Sequence, residues 1–397
     1  MSKSRSLRIA QLHWGFPPVI GGVETHLSIL LPEMVKMGHR VDLLTGSAEK
    51  TKVVDKYKGV SIYRAPVMDL NWLVKRGLNG ILQEVEETFG RFLNKVRPDV
   101  IHCHNMHYFS KPHAKTIEGL AKKNRIPLIL TAHNVWDDNL FLDLTKNIKW
   151  DHIIAVSHFI KKELIGVGCP HRKITVVHHG IDQHVYNPNN KYKSIFKKYP
   201  QLENKKIVFH PARMGLAKGC DVSIKALRII RDRFPDVMLI LAGTRNIIDW
   251  AQSQEKDIAY MVNLIEFFNM RKNVLIDAFR LEDMPDLYTA STVCVYPSTA
   301  AEPFGLTMLE ALASAKPMVV TNTGGMPEII KDGINGFVVP IKDFEALASR
   351  TIQLIANSDL RDRLGYTGRQ MVEQSFTKEI VTNNTLNIYE QLRQARL

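Results

Sequence analysis

The sequence contains few cysteines and no long apolar segment, and both absences narrow the class of protein. Its four cysteines are scattered through 397 residues without a Cys-x-x-Cys pair, so neither a disulfide framework nor a zinc site is indicated (Cys103, Cys169, Cys220 and Cys294). No stretch reaches the length of a membrane-spanning helix, and no apolar signal-peptide core follows the polar amino terminus. We therefore expect a cytoplasmic protein, with peripheral membrane association as the alternative.

Low-complexity tracts, short-period repeats and a P-loop motif are also absent, which argues against a repeat protein and a P-loop NTPase. Basic residues, in contrast, are in excess: 53 Lys and Arg against 40 Asp and Glu, a net charge of +13. Such an excess suits an anionic partner, either a phosphorylated small molecule, a lipid surface or a nucleic acid. The densest basic run, residues 191–206 with six lysines, is interpreted as a linker because no nucleic-acid-binding module accompanies it.

Short apolar strands alternate with helical segments through the whole chain. The pattern begins with a strand at 7–13, a helix that starts near Gly22 and a strand at 41–45. Alternation of this kind predicts an α/β protein with doubly wound parallel sheets. At this length we expect two domains, which we place at residues 1–185 and 204–377, with a linker at 186–203.

The segment 301–311 contains two carboxylates, Glu302 and Glu310, on either side of a proline, a glycine and an apolar run. Pro303 and Gly305 predict a loop that becomes a helix near Gly305. The first amides of such a helix have no partners within it, so they suit anionic oxygens. Taken alone, the two carboxylates are also explained without a ligand: Glu302 as a complement to the helix dipole and Glu310 as a solvated helix residue.

Further candidates follow predicted strands at their carboxyl ends, where open α/β sheets bind ligands. Gly21 and Gly22 occupy the first strand-to-helix turn, and glycine there allows a phosphate to approach the backbone. His133 is a candidate substrate contact because it lies just past the carboxyl end of a predicted strand. We interpret His102 and His104 as pointing to opposite sides of their strand, which argues against a shared metal ion.

Two cations lie in a glycine-containing loop after the first strand of the second half. Arg213 offers a planar fork of donors and Lys218 a point charge, a combination that suits a diphosphate.

Together these motifs resemble those of glycosyltransferase family 4, whose members are retaining enzymes with the GT-B fold. The resemblance covers nearly the whole chain and rests on motifs in the family's order: Gly21-Gly22, Arg213, Lys218-Gly219, the Glu-x7-Glu segment from Glu302 to Glu310, Gly324-Gly325 and Asp332 to Gly336. It implies two Rossmann-like domains facing a central cleft, with residues 378–397 forming a helix that returns to the first domain.

The resemblance also implies a role for each candidate. Arg213 and Lys218 would neutralise the diphosphate of a nucleotide-sugar donor. Glu302 would bind hydroxyls of the sugar, Glu310 would bind those of the ribose, and His133 would lie beside the transferred sugar. These roles make Glu302, His133, Arg213 and Lys218 the expected catalytic residues, with Glu302 the first suspect if the reaction uses a protein nucleophile.

The remaining donor contacts implied by the resemblance come from the backbone. The amides near Phe304, Gly305 and Leu306 would contact the sugar or a phosphate, while Gly21 and Gly22 would approach the diphosphate from the first domain. In the family's favoured mechanism the acceptor attacks from the side of the leaving group, and a phosphate oxygen takes its proton.

Two further sequence features bear on the resemblance. The Asp-x-Asp pair expected of metal-dependent glycosyltransferases is absent, which is consistent with the resemblance, so we expect neither a metal nor a cofactor. His179 stands where the family commonly has Asn, which puts that contact in doubt.

The expected activity is transfer of a hexose-type sugar from an NDP-sugar, with UDP favoured over GDP, to a hydroxyl of a small-molecule, glycolipid or saccharide acceptor. The alternatives are an epimerase or phosphorylase of the same fold, and a non-catalytic binder of nucleotide-sugars or polyanions. Residues 71–78, apolar and next to cations, are a candidate membrane contact. We expect no nucleic-acid partner.

Overall fold

The computed structural model describes residues 6–48, 51–135, 138–243 and 251–396. The chain forms two compact units, one containing Met1–Gly180 with Lys378–Leu397 and the other Ile181–Thr377. The predicted linker at 186–203 belongs to the second unit and is not a separate connection. Its Ile195 and Leu202 are buried, because the helix and turn that carry them pack on that unit.

The first unit contains an eight-stranded sheet in the order β3-β4-β2-β1-β5-β6-β7-β8. Neighbouring strands pair in parallel except at the edge, where β3 is antiparallel to β4. That edge strand was not predicted from the sequence. The strands are β1 Arg8–Leu12, β2 Arg40–Thr45, β3 Val54–Tyr57, β4 Val60–Arg64, β5 Val100–His104, β6 Leu128–Ala132, β7 His152–Ala155 and β8 Ile174–Val176.

Helices of the first unit connect and cover these strands: α1 Gly22–Lys36, α2 Leu70–Arg76, α3 Leu82–Val96, α4 Lys111–Asn124, α5 Asn139–Asn147 and α6 His158–Gly166. Local chemistry sets several of their starts. The helix α6 begins after Ser157, whose side chain accepts a hydrogen bond from the amide of Ile160, as its sequence predicts. Asp69 caps α2 in the same way through the amide of Asn71.

The second unit contains a six-stranded parallel sheet in the order β11-β10-β9-β12-β13-β14. Its strands are β9 Lys206–His210, β10 Val237–Gly243, β11 Val274–Ala278, β12 Val293–Tyr296, β13 Met318–Thr321 and β14 Gly336–Val339. Its helices are α7 Lys193–Lys198, α8 Cys220–Arg233, α9 Ala251–Phe267, α10 Met284–Ala290, α11 Leu306–Ala313, α12 Met326–Ile329, α13 Phe344–Ala356 and α14 Ser358–Ser375. The doubly wound sheets expected from the sequence are confirmed in both units.

Each unit has its own apolar core. In the first, residues of β1, α1 and the final helix α15 (Lys378–Gln394) pack together, among them Ile9, Leu27 and Tyr389. In the second, residues such as Val208, Leu227 and Leu241 form the corresponding core. The carboxyl-terminal helix is thereby anchored in the first unit through buried apolar contacts.

In the described parts of the chain, none of the helices combines the length and the apolarity needed to cross a bilayer. The candidate membrane segment 71–78 falls largely in α2 and exposes Val74 and Leu78 next to Lys75 and Arg76. Its membrane contact stays a prediction.

Candidate active site

The candidate donor site lies where the second sheet reverses its strand order. Strand β9 has β10 on one side and β12 on the other, so its carboxyl end borders the crevice in which doubly wound sheets bind ligands. The loop 211–219 follows β9 and carries Arg213 and Lys218. The loop 297–305 follows β12 and carries Glu302.

Close backbone contacts join these two loops. The carbonyl of Ala217 accepts hydrogen bonds from the amides of Thr299 at 3.0 Å and Ala300 at 3.3 Å. Gly219 has a φ of 74°, and a Cβ there would lie 1.8 Å from the carbonyl oxygen of Pro297. Only glycine satisfies both conditions, so the glycine that follows Lys218 lets the two loops meet.

Lys218, Glu302 and Tyr296 meet at one carboxylate oxygen. Glu302 Oε2 lies 2.6 Å from Lys218 Nζ and accepts a hydrogen bond of 2.6 Å from the Tyr296 hydroxyl. Burial, together with the charge of Glu302, raises the pKa of Tyr296 well above its ordinary value, so this hydroxyl stays a donor. The predicted diphosphate cation and the predicted sugar-binding carboxylate are therefore in direct contact, and the sequence analysis had not identified Tyr296.

Arg213 is exposed, and its charge acts on Tyr296, where it opposes the rise in pKa. Over the described residues, its guanidinium forms no ion pair of the kind that Lys218 makes with Glu302. Its five donors are therefore available to an anionic ligand at this end of the sheet.

The helix α11 begins at the predicted place. Gly305 precedes it with a φ of 88°, and within the described chain no side chain caps its first amides. The side chains of Phe304 and Leu306 are buried, and the contact of the amides of this turn with a ligand stays a prediction. The Thr307 hydroxyl is also buried and has no hydrogen-bond partner among the residues described.

Glu310 lies one turn into α11 and is buried, 8% exposed. The Tyr288 hydroxyl donates a hydrogen bond of 2.7 Å to its carboxylate, and Tyr186 donates another. Burial raises the pKa of Glu310, while the two tyrosine hydroxyls oppose that rise. Both tyrosines were missed, and the contact of Glu310 with ribose stays a prediction.

The turn after β13 packs against the backbone of Glu302. Gly324 has a φ of 56°, and a Cβ there would lie 2.2 Å from the carbonyl oxygen of Glu302. The amide of Gly325 donates a hydrogen bond of 2.8 Å to that same oxygen. The Gly324-Gly325 motif thus positions the backbone of Glu302 by close packing.

In the first unit, Gly21 lies against the side chain of Glu24, and its contact with a diphosphate stays a prediction. A Cβ at Gly21 would lie 2.2 Å from Glu24 Oε2, whereas one at Gly22 would meet nothing within 4 Å. Gly21 therefore makes room for the buried carboxylate of Glu24, and open space lies only at Gly22. His13 Nε2 lies 3.1 Å from Glu24 Oε1, so this carboxylate also joins β1 to α1.

His133 lies in a cluster of buried histidines at the carboxyl edge of the first sheet. Its ring nitrogens face His104 Nδ1 and His179 Nε2, each at 3.0 Å. The prediction that His102 and His104 lie on opposite faces is wrong. Their ring centroids are 4.2 Å apart, because residues two apart in a strand share one face.

Family models match both units. The model described as "Glycosyltransferase Family 4" matches residues 20–185, and the model described as "Glycosyl transferases group 1" matches residues 191–371. An uncharacterised glycosyltransferase of Methanocaldococcus jannaschii is 25% identical over 403 aligned residues, which cover 97% of this chain and 98% of that protein.

Solved structures show the same fold. A glycosyltransferase from Rickettsia africae superposes with a TM-score of 0.82 at 23% identity, covering 98% of this chain and 99% of the other. HepE of Anabaena, solved in complex with UDP and glucose, superposes with a TM-score of 0.77 at 20% identity, covering 97% and 99%. The two parallel-sheet units are those of the GT-B fold, as the sequence had predicted.

Gly324→Ala should destabilise the second unit more than Gly333→Ala. Both glycines have positive φ, so alanine costs about 1–2 kcal/mol of backbone strain at either position. Gly333 has nothing within 4 Å of the added Cβ, whereas Gly324 meets Glu302, which we expect to add about 1–3 kcal/mol. Urea unfolding of both variants measures the difference, and equal losses would contradict the packing role of Gly324.

Glu310→Gln should change how stability depends on pH. The pKa of Glu310 is raised on folding above its ordinary 4.5, so the native state holds this proton more tightly. The stability that this provides is present below pH 4.5 and is lost as pH rises through the native pKa. The free energy of unfolding of Glu310→Gln, relative to that of the parent, should therefore rise across this window and then level off. A constant difference between pH 4 and 9 would contradict it.

Proposed function

This chain belongs to glycosyltransferase family 4 and has the GT-B fold, and on that premise we propose that it is a retaining hexosyltransferase. It moves a hexose-type sugar from an NDP-sugar, UDP favoured, to a hydroxyl of a small-molecule, glycolipid or saccharide acceptor. The observation that carries the proposal is the meeting of Lys218, Tyr296 and Glu302 at the switch point of the second sheet. That group offers a cation for phosphate and a carboxylate for sugar hydroxyls within 2.6 Å of each other.

The chemistry of sugar transfer fits these residues. As the bond to the leaving diphosphate breaks, negative charge grows on its oxygens, and cations preorganised there stabilise the transition state. Lys218 and Arg213 supply this charge, and the uncapped amides of α11 add partial positive charge. No protein group then has to take the proton of the acceptor, because a phosphate oxygen of the leaving group does so.

UDP is the favoured nucleotide because the HepE structure that shares this fold was solved with UDP and glucose. The carboxylate of Glu310, held by the buried hydroxyls of Tyr186 and Tyr288, suits the hydroxyls of a ribose, which UDP and GDP share.

The donor should stabilise the folded protein. A panel of UDP- and GDP-sugars, tested by thermal shift, should contain at least one that raises the melting temperature, since a ligand at 100 times its Kd adds about 2.7 kcal/mol to the free energy of unfolding.

Lys218→Ala should lower the rate of nucleoside diphosphate release from that sugar nucleotide by about 10²–10³-fold, the usual effect of removing one such electrostatic group.

Glu302→Gln should weaken binding of that donor about tenfold or more, equivalent to 1.4 kcal/mol. The matched control is Glu345→Gln, which neutralises an exposed carboxylate on α13 of the same unit. It should change neither the binding of the donor nor the rate of nucleoside diphosphate release. A panel with no stabilising sugar, or full activity in Glu302→Gln, would contradict the assignment of this site.

We expect catalysis to proceed without a metal ion and with retention of anomeric configuration. Lys218 and Arg213 provide the charge that a divalent cation supplies in other glycosyltransferases. Donor turnover should persist in excess EDTA, and proton NMR of the first product should show the donor's own anomeric configuration. Activity that EDTA abolishes and Mg²⁺ restores, or an inverted product, would contradict the respective part of the proposal.

A further inference from the structure

A chain of buried hydrogen bonds runs across the first unit from α15 to His179. Gln11 Nε2 donates to the Tyr389 hydroxyl at 3.1 Å, and Gln11 Oε1 faces His104 Nε2 at 2.9 Å. His104 Nδ1 faces His133 Nε2, and His133 Nδ1 faces His179 Nε2, each at 3.0 Å. All five side chains are less than 9% exposed.

The histidines of this chain are neutral. Burial lowers the pKa of His104, His133 and His179 well below the ordinary 6.5, and neighbouring histidines lower it further. A neutral imidazole has one N–H donor and one bare nitrogen acceptor. His104 and His133 are bonded at both ring nitrogens, so each donates on one side and accepts on the other. The tautomer of one ring therefore determines that of the next.

The amide of Gln11 sets the direction of this chain. Its Oε1 can only accept, so His104 must carry its proton on Nε2 and accept at Nδ1. His133 must then donate from Nε2, accept at Nδ1 and receive a hydrogen bond from His179 Nε2. Turning the amide over would reverse every one of these donors and acceptors.

The Tyr389 hydroxyl bonds the nitrogen end of this amide. This hydroxyl accepts from Gln11 Nε2 and therefore donates to His102 Nδ1, 2.5 Å away. His102 then donates from Nε2 to Thr131 Oγ1 at 2.6 Å.

We propose that Gln11 and Tyr389 are positioning residues that hold His133 as its Nε2–H tautomer. The tautomer follows from the hydrogen bonds with the Gln11 amide in this orientation, whereas its catalytic consequence rests on the proposed sugar transfer. In this tautomer the acceptor nitrogen of His133 faces His179. A sugar hydroxyl that binds there donates a hydrogen bond to His133 Nδ1 and replaces the His179 donor. His133 thus recognises a hydroxyl without serving as a proton donor to it.

The test is long-range proton–nitrogen NMR on the full chain labelled with ¹⁵N-histidine, with the His133 signals assigned from His133→Gln. His133 of the parent should show a protonated Nε2 and a bare Nδ1. Gln11→Met removes the acceptor for His104, so His133 should then show its Nδ1–H tautomer or a mixture. Gln11→Glu keeps an oxygen at that position and should retain the Nε2–H tautomer.

A second variant keeps the proposal testable if Gln11→Met does not fold. Tyr389→Phe keeps the ring but removes the hydroxyl that orients the amide, so it should also produce mixed tautomers at His133. The matched control is Thr385→Val, which removes another buried hydroxyl of α15, one bonded to the carbonyl of Val381. That variant should leave the His133 signals unchanged.

Once a donor is known, Gln11→Met should lower kcat at least tenfold with little change in KM for the donor, and Gln11→Glu should recover most of that loss. A protonated Nδ1 in the parent, or an unaltered tautomer in both Gln11→Met and Tyr389→Phe, would overturn the proposal. An altered tautomer with unchanged kcat would overturn its catalytic part. If no sugar nucleotide binds, the proposed function fails while the NMR result still decides the tautomer.

Discussion

The contact between Lys218 and Glu302 depends on how two parallel strands end side by side. Strands β9 and β12 are neighbours, and the chain leads from β9 to β10 on one side of the pair and from β12 to β13 on the other. The loops that follow β9 and β12 therefore meet over the crevice between them. The ion pair keeps partial access to solvent, with the two side chains 27% and 15% exposed. Both side chains therefore remain accessible from solvent.

Glycines make this arrangement sterically feasible. Gly219 and Gly324 both have positive φ, and both lie where a Cβ would collide with backbone of the loop 297–305. They bring the two neighbouring loops against this loop from different sides. The loops that carry Lys218 and Glu302 are thus packed together at glycines, which have no side chain.

The two units treat polar groups in opposite ways at the carboxyl edges of their sheets. The second keeps the cations of its site accessible, as binding of an anion requires. The first buries several histidines, for which an imidazolium would be costly to desolvate, so burial lowers their pKa and each becomes a neutral donor and acceptor. One unit is thereby suited to neutralising charge and the other to recognising hydroxyl groups by hydrogen bonds.

The sequence alone determined the alternation of strands and helices, the cap at Ser157, the start of α11 at Gly305 and the loops that carry Arg213, Lys218 and Glu302. These features are local, because strand and helix periods, caps and glycine turns depend on residues a few positions apart. Only the tertiary structure decided which side chains meet. Lys218 pairs with Glu302 across 84 positions, and Gln11 bonds Tyr389 across 378. Such partners depend on strand order and on where the last helix packs, which local spacing does not encode.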